Sequence, residues 1–179
     1  MSPFLAGCAL AIRFDTAGPV FFRQPRVGRN GIPFSVFKFR TMVADAEDLK
    51  PGLSELNRRG DGMFKITDDP RVTRVGRWLR RYSLDELPQL IDVLRGDMSL
   101  VGPRPLIQAE ADLVDRRYDA RFRVRPGITG PWQVFGRSDI PFDDMTRLDY
   151  SYVTNWSVGY DIKLMVRTIS AAFGGRGAY

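Results

Sequence analysis

The stretch Ser83-Leu84-Asp85-Glu86-Leu87-Pro88-Gln89-Leu90-Ile91-Asp92-Val93-Leu94-Arg95-Gly96 governs the reading of the chain. Leu87, Leu90, Ile91 and Leu94 recur at helical spacing. Arg95 complements a last turn, and Gly96 stands where a helix ends. Proline has no N–H and is tolerated only in a first turn, so Pro88 puts the helix start at Leu84 or Asp85. Asp85 and Glu86 then occupy a positive helix end. Acids there offset the macrodipole by ~0.3–1 kcal/mol, and Ser83 with Glu86 fits a capping box. A chemical reading stands beside that structural one. An ionised carboxylate pair flanked by arginines can hold phosphate or Mg²⁺, and a carboxylate can attack phosphorus as a nucleophile.

The flanks supply those arginines. Upstream, Arg71 to Tyr82 has Val72, Val75, Leu79 and Tyr82 at helical spacing, with five arginines on the other faces. This is a basic amphipathic helix, suited to a solvated face, a membrane surface or a phosphate ligand. Downstream, Gly102-Pro103-Arg104-Pro105 reads as a stiff loop, Leu106 to Arg117 as a helix, and Arg121 to Gly127 as an extended, alternating basic segment. Phe142 to Tyr152 and Val158 to Phe173 are helical patterns, the second with Ile162, Met165, Val166 and Ile169 on one stripe.

Further upstream, Pro19 to Gln24 and Phe34 to Arg40 flank an Asn30-Gly31 turn signal and read as a β-hairpin. A strand period of two puts Lys38 and Arg40 on one face, Phe37 and Phe39 on the other. Val43 to Lys65 is polar, with an acidic patch at Asp45, Glu47 and Asp48, and reads as a loop with one short helix. The apolar run Phe4 to Ile12 falls short of the roughly 20 residues that span a bilayer, leaving a packed helix or a half-inserted anchor.

Composition narrows the chemistry. A chain of 179 residues with 44% hydrophobic content suits one domain with its own core. Lys+Arg 27 against Asp+Glu 21 gives +6, and Lys38, Lys50, Lys65 and Lys163 are the only lysines. Arginine's planar fork suits bidentate phosphate recognition, so the expected partners are anionic. With no histidine and only Cys8, a Cys/His zinc site, a Ser-His-Asp triad and a Cys-His pair are excluded. Any general base or nucleophile must be a carboxylate, hydroxyl or lysine.

Four segments together, Phe37-Lys38-Phe39-Arg40-Thr41-Met42, Ser83 to Gln89, Gly96 to Pro105 and Arg125-Pro126-Gly127-Ile128-Thr129-Gly130, resemble the bacterial sugar transferases. These are monotopic polyprenyl-phosphate phosphoglycosyl transferases of exopolysaccharide, O-antigen and glycan assembly. The resemblance implies transfer of a sugar 1-phosphate from a UDP-sugar to polyprenyl (undecaprenyl) phosphate. It proceeds through a covalent aspartyl phosphosugar and releases UMP at the cytoplasmic face of the bacterial cell membrane. It makes Asp85 the nucleophile and Mg²⁺ ligand, and Glu86 its partner in proton handling or in orienting the metal site. The family's basic positions fall on Lys38, Arg80, Arg104, Arg125 and Arg137, for the diphosphate, the uridine side or the acceptor phosphate. Arg40 matches another basic position and equally suits the hairpin surface. Residues 1–17 correspond to the outbound half of a truncated re-entrant membrane helix broken at Ser2-Pro3, and 18–179 to the catalytic domain.

The expected fold is α+β, mostly helical, with amphipathic membrane-surface helices and a small β-hairpin. Two rival functions fit the same charge pattern: an arginine-rich nucleic-acid-binding module, and a catalytically inactive relative acting as a scaffold. The phosphoglycosyl transferase reading implies no nucleic-acid partner. No motif encodes the sugar or the oligomeric state.

Overall fold

A computed structural model of the chain describes residues 3–57, 63–135 and 140–173. The architecture is α+β and mostly helical, as expected. Helix α1 (Pro3–Asp15) leads into the hairpin of β1 (Phe21–Val27) and β2 (Pro33–Phe39). Its antiparallel register runs from Phe21↔Phe39 to Val27↔Pro33. Asn30 and Gly31, with φ of 57° and 77°, make the left-handed turn between the strands. The stacked rings of Phe21, Phe37 and Phe39 fill the hairpin's inner face.

Short helices dominate the middle of the chain. Helix α2 (Ala46–Leu49) and a 3-10 helix (Pro51–Leu56) interrupt the polar loop. Helix α3 (Arg74–Arg81) begins at Thr73, whose hydroxyl accepts from the Gly76 N–H. Gly76 lies so close to the Thr41 backbone that a Cβ would collide with it, and Leu79 is fully buried against Cys8, Ile12 and Phe39. The expected start of this helix at Arg71 is corrected by three residues. Arg71 is buried outside it, bonded to Asp69 at 2.6 Å and to the Ala46 carbonyl at 3.1 Å.

The decisive stretch folds in two parts. Leu84–Gln89 is a 3-10 helix, and α4 (Leu90–Arg95) begins only after it. Pro88 has no N–H to return to the preceding turn, so α-helical bonding cannot start at Leu84 as the sequence suggests. The stop is as expected: Gly96 takes φ 85°. The apolar stripe does not face a core, because Leu90 and Ile91 are exposed and Leu94 is 88% exposed.

Strand β3 (Ser99–Val101) pairs in parallel with β4 (Gly127–Thr129). At this crossing Gly102 and Gly127 touch backbone to backbone, leaving no room for a side chain. Between them, only α5 (Gln108–Ala111) of the expected Leu106–Arg117 helix is α-helical. A 3-10 helix over Arg116–Arg123 replaces the extended reading of Arg121 to Arg123, because Arg121 turns inward to a buried carboxylate. Helices α6 (Pro131–Phe135), α7 (Phe142–Thr154) and α8 (Val158–Phe173) complete the chain.

Two further clusters hold this half together. Leu106, Trp132, Phe142 and Met145 form one, and Val101, Tyr152 and Leu164 the other. On α8 the inward residue is Leu164, whereas Ile162, Val166 and Ile169 of the expected stripe are exposed. Among the described residues no helix is long and apolar enough to cross a membrane.

Candidate functional site

The hairpin and the dyad turn meet through two contacts on adjacent residues of β2. The Phe37 N–H donates to Asp92 Oδ2 at 2.9 Å, tying the strand to α4. One residue on, Lys38 Nζ donates to Glu86 Oε1 at 2.7 Å, both side chains being 23% exposed. The capping-box expectation fails here. Ser83 adopts a left-handed φ of 55° and makes no side-chain cap hydrogen bond, while the Glu86 carboxylate reaches Lys38 across the fold. The geometry therefore spends Glu86 on a distant lysine and not on its own helix end.

The two dyad carboxylates are driven in opposite directions. Burial opposes ionisation of Glu86, but the charges of Lys38 and Arg104 and the Lys38 hydrogen bond outweigh it and hold Glu86 below the usual glutamate value. For Asp85, burial dominates. With the neighbouring Glu86 charge it raises Asp85 above the usual aspartate value, against the pull of Lys38 and Arg80. The surroundings favour the anion at Glu86 and the proton at Asp85.

A small cleft opens beside the dyad, lined by Arg26, Lys38, Glu86, Gln89 and Arg104 among others. Arg104 lies 4.6 Å over the Trp132 ring. Gln89 is buried, and its side chain lies close enough to the Glu86 carboxylate to favour the anion. Arg80 approaches from α3, its Nε donating to Thr41 Oγ1 at 2.8 Å. Lys38, Arg80 and Arg104 thus converge on the dyad, as expected.

Two arginines do not join them. Arg40 is buried, with its guanidinium bonded to Thr16 and to the Pro19 and Met42 carbonyls. The Arg40 N–H still bonds the Val20 carbonyl at 2.8 Å, while its guanidinium folds back on Thr16 and Pro19. Arg40 is thus a latch between the α1 exit and the hairpin. Arg125 is exposed, with its guanidinium beside Gly96 at the C-terminal end of α4 and not on the cleft wall. Arg137 and Ser2 lie outside the described residues.

Arg26 escaped the sequence reading. It pairs in register with Phe34 and so shares a strand face with Lys38, the signal that could have found it. Burial, with Arg104 nearby, pushes its pKa down to about 10.

For a divalent cation the donors are limited. Among the described residues no group of three or more His, Cys, Asp or Glu side chains could hold one. The hard oxygens of Asp85 and Glu86 nevertheless suit Mg²⁺, which takes one or two carboxylates and completes its shell with substrate phosphates and water. Glu86 Oε1 is already bonded to Lys38.

These opposed environments predict an order of titration. In carboxyl-selective NMR, acidification protonates Asp85 before Glu86. Lys38→Met removes the cation that favours both anions and shifts both transitions to higher pH. Coincident transitions, or a downward shift in Lys38→Met, would contradict this electrostatic assignment.

Known proteins match along nearly the whole chain. The profile of the family described as bacterial sugar transferase matches residues 1–175. The galactosyl transferase CpsE of Streptococcus agalactiae is 46% identical over 168 residues, which is 93% of this chain and 37% of that protein. The exopolysaccharide production protein ExoY of Sinorhizobium fredii is 39% identical over 186 residues, covering 100% of this chain and 81% of its own length. The undecaprenyl-phosphate galactose phosphotransferase of Salmonella typhimurium is 41% identical over 169 residues, 90% of this chain and 35% of that protein. The chain therefore spans about a third of CpsE and of the Salmonella protein, and most of ExoY. Carrying both the family's profile and a cation-ringed Asp-Glu pair, this chain belongs to the bacterial sugar transferase family.

Proposed function

We propose that this chain transfers a sugar 1-phosphate from a UDP-sugar to polyprenyl (undecaprenyl) phosphate through a covalent intermediate on Asp85. The observation that carries the reading is the Lys38–Glu86 pair at 2.7 Å, next to Asp85 and in a cleft that Arg26 and Arg104 also line. Burial raises Asp85 while the Lys38 and Arg104 charges lower Glu86, which suits adjacent acids to different roles. The Salmonella relative, by its name a phosphotransferase acting on undecaprenyl phosphate, supports it.

The first step forms a bond between an Asp85 oxygen and the β-phosphorus of the UDP-sugar. The bond from that phosphorus to the bridging oxygen breaks, and UMP leaves with the electron pair. In the second step an oxygen of polyprenyl phosphate attacks the same phosphorus, and Asp85 departs as carboxylate. Lys38 and Arg104 face the phosphates and offset the charge that builds up in each transfer. Arg80 helps keep Asp85 ionised. Glu86, held as an anion by Lys38, keeps that ammonium in place beside the reacting phosphorus. Bound Mg²⁺, held by Asp85 and the diphosphate, would supply Lewis-acid polarisation of phosphoryl oxygens.

A lipid-linked acceptor calls for a site at a membrane surface, which in this reading is the cytoplasmic face. Helix α1 exposes Phe4, Leu10 and Phe14, and α3, packed beside it, exposes Trp78 among Arg74, Arg77 and Arg81. Apolar side chains beside arginines suit the headgroup plane. In co-sedimentation with anionic phospholipid vesicles, the double variant Phe14→Ser, Trp78→Ser binds about tenfold more weakly than the parent. Equal binding by both would remove this face as the membrane-contacting surface.

The enzymology is tested by UMP release from a panel of UDP-sugars with Mg²⁺ and polyprenyl phosphate. Asp85→Asn loses roughly 10³-fold or more, since an amide cannot form the acyl phosphate. Only ionised Asp85 attacks, so the rate falls on acidification at a pH above the ordinary aspartate value, and Lys38→Met moves that fall higher still. Undiminished UMP release by Asp85→Asn would end the proposal.

A further inference from the structure

Arg104 reaches the cleft on a loop that cannot hold itself. Pro103 and Pro105 carry no N–H, and residues 102–105 lie in no helix or strand. The loop is held by the Gly102 N–H, which donates to Thr129 O at 2.9 Å, and by its carbonyls, which accept from β1, β4 and the 3-10 helix over Arg116–Arg123. Pro103 O accepts from Gly127 N at 2.9 Å, and Leu106 O from Val27 N at 2.8 Å. Between them, Arg104 O accepts from Arg121 Nη2 at 2.9 Å, and Pro105 O from Arg26 Nη1 at 3.2 Å. The two inner donors are guanidinium groups, and each is tied to an acid on another element. Arg121 Nη2 meets Asp149 Oδ2 of α7 at 2.7 Å, and Arg26 Nη1 lies 3.6 Å from Glu110 Oε2 of α5.

The Arg121–Asp149 pair is almost sealed from solvent, at 2% and 0% side-chain exposure. Buried arginine–carboxylate pairs are frequently bidentate. This one divides Nη2 between the carboxylate and the Arg104 carbonyl, and leaves Arg121 Nε and Asp149 Oδ1 without partners among the described residues. Its geometry is that of a brace. We propose that Arg121–Asp149 and Arg26–Glu110 are positioning pairs that fix the Arg104 backbone and so aim its guanidinium at the phosphates of the donor. The inference rests on the phosphate-transfer reading of the cleft. Arg121, which is not among the residues lining the cleft, acts on the ligand through where the loop places Arg104, whereas Arg26 also lines the cleft itself.

That dependence can be measured without turnover. Inorganic diphosphate is the probe, its affinity measured calorimetrically for the parent chain, Arg104→Ala, Arg121→Lys and the double variant. Arg121→Lys weakens diphosphate binding about tenfold when Arg104 is present, and changes it by no more than about twofold in the Arg104→Ala background. The thermal midpoint falls equally in both backgrounds. Equal weakening of binding in both would reduce Arg121 to a structural residue and overturn the inference, as would a parent chain that binds no diphosphate. If Arg121→Lys does not fold, Asp149→Asn, which loosens Arg121, completes the same cycle with the same expected pattern. UMP release by the parent is scored separately. Its absence alongside the expected cycle removes the transferase reading and leaves the brace. Its presence alongside an additive cycle removes the brace alone.

Discussion

The Lys38–Glu86 ion pair is the contact on which the site depends. It joins a strand of the hairpin to the turn that carries the dyad, 48 residues apart in sequence, at 2.7 Å. With the Phe37 amide bound to Asp92 one residue earlier, it leaves the strand no freedom to slide, because a one-residue slip would turn Lys38 away from the dyad. It also sets the electrostatics. Burial raises Asp85, and by favouring the Glu86 anion Lys38 adds a negative charge beside it that raises it further. Two identical functional groups on adjacent residues acquire different chemistry from their surroundings.

Around that pair the protein gathers more positive charge than its own acids neutralise. Arg26, Lys38 and Arg104 line one cleft, and Arg80 stands beside Asp85. Arginines this close repel one another, and Arg104 contributes to the lowered pKa of Arg26. A fold can hold such a cluster because each cation has an anchor away from the others. Glu110 and the Pro105 carbonyl serve Arg26, Thr41 serves Arg80, and the Trp132 ring serves Arg104. Under the proposed function an incoming diphosphate would supply the missing negative charge and relieve the repulsion within the cluster.

Much of this was legible in the sequence where the signal was local. The hairpin, the Gly96 stop, and the helices near Phe142–Thr154 and Val158–Phe173 follow from period and turn chemistry. The convergence of Lys38, Arg80, Arg104 and the dyad was expected from the family's motifs. What failed depended on distant partners. Pro88 stretched the dyad segment into a 3-10 turn, and Arg121 looked like an extended, exposed residue because Asp149, its counter-charge, lies 28 residues later. Arg40 looked like a site residue, but its guanidinium folds back on Thr16 and Pro19. A stripe such as Ile162, Val166 and Ile169 reveals a helix, but period alone does not say which way the stripe faces, and here it faces out.

Covalent bonding of Asp85 itself to phosphorus is the step on which the proposed chemistry turns. Intact-protein mass spectrometry after mixing the chain with UDP-sugar and Mg²⁺, without lipid acceptor, tests it most directly. The expected result is a mass increase equal to one sugar phosphate, mapped by peptide fragmentation to Asp85 and discharged when polyprenyl phosphate is added. An unmodified protein that still releases UMP when the lipid is supplied, or an adduct mapped to any other residue, would contradict it.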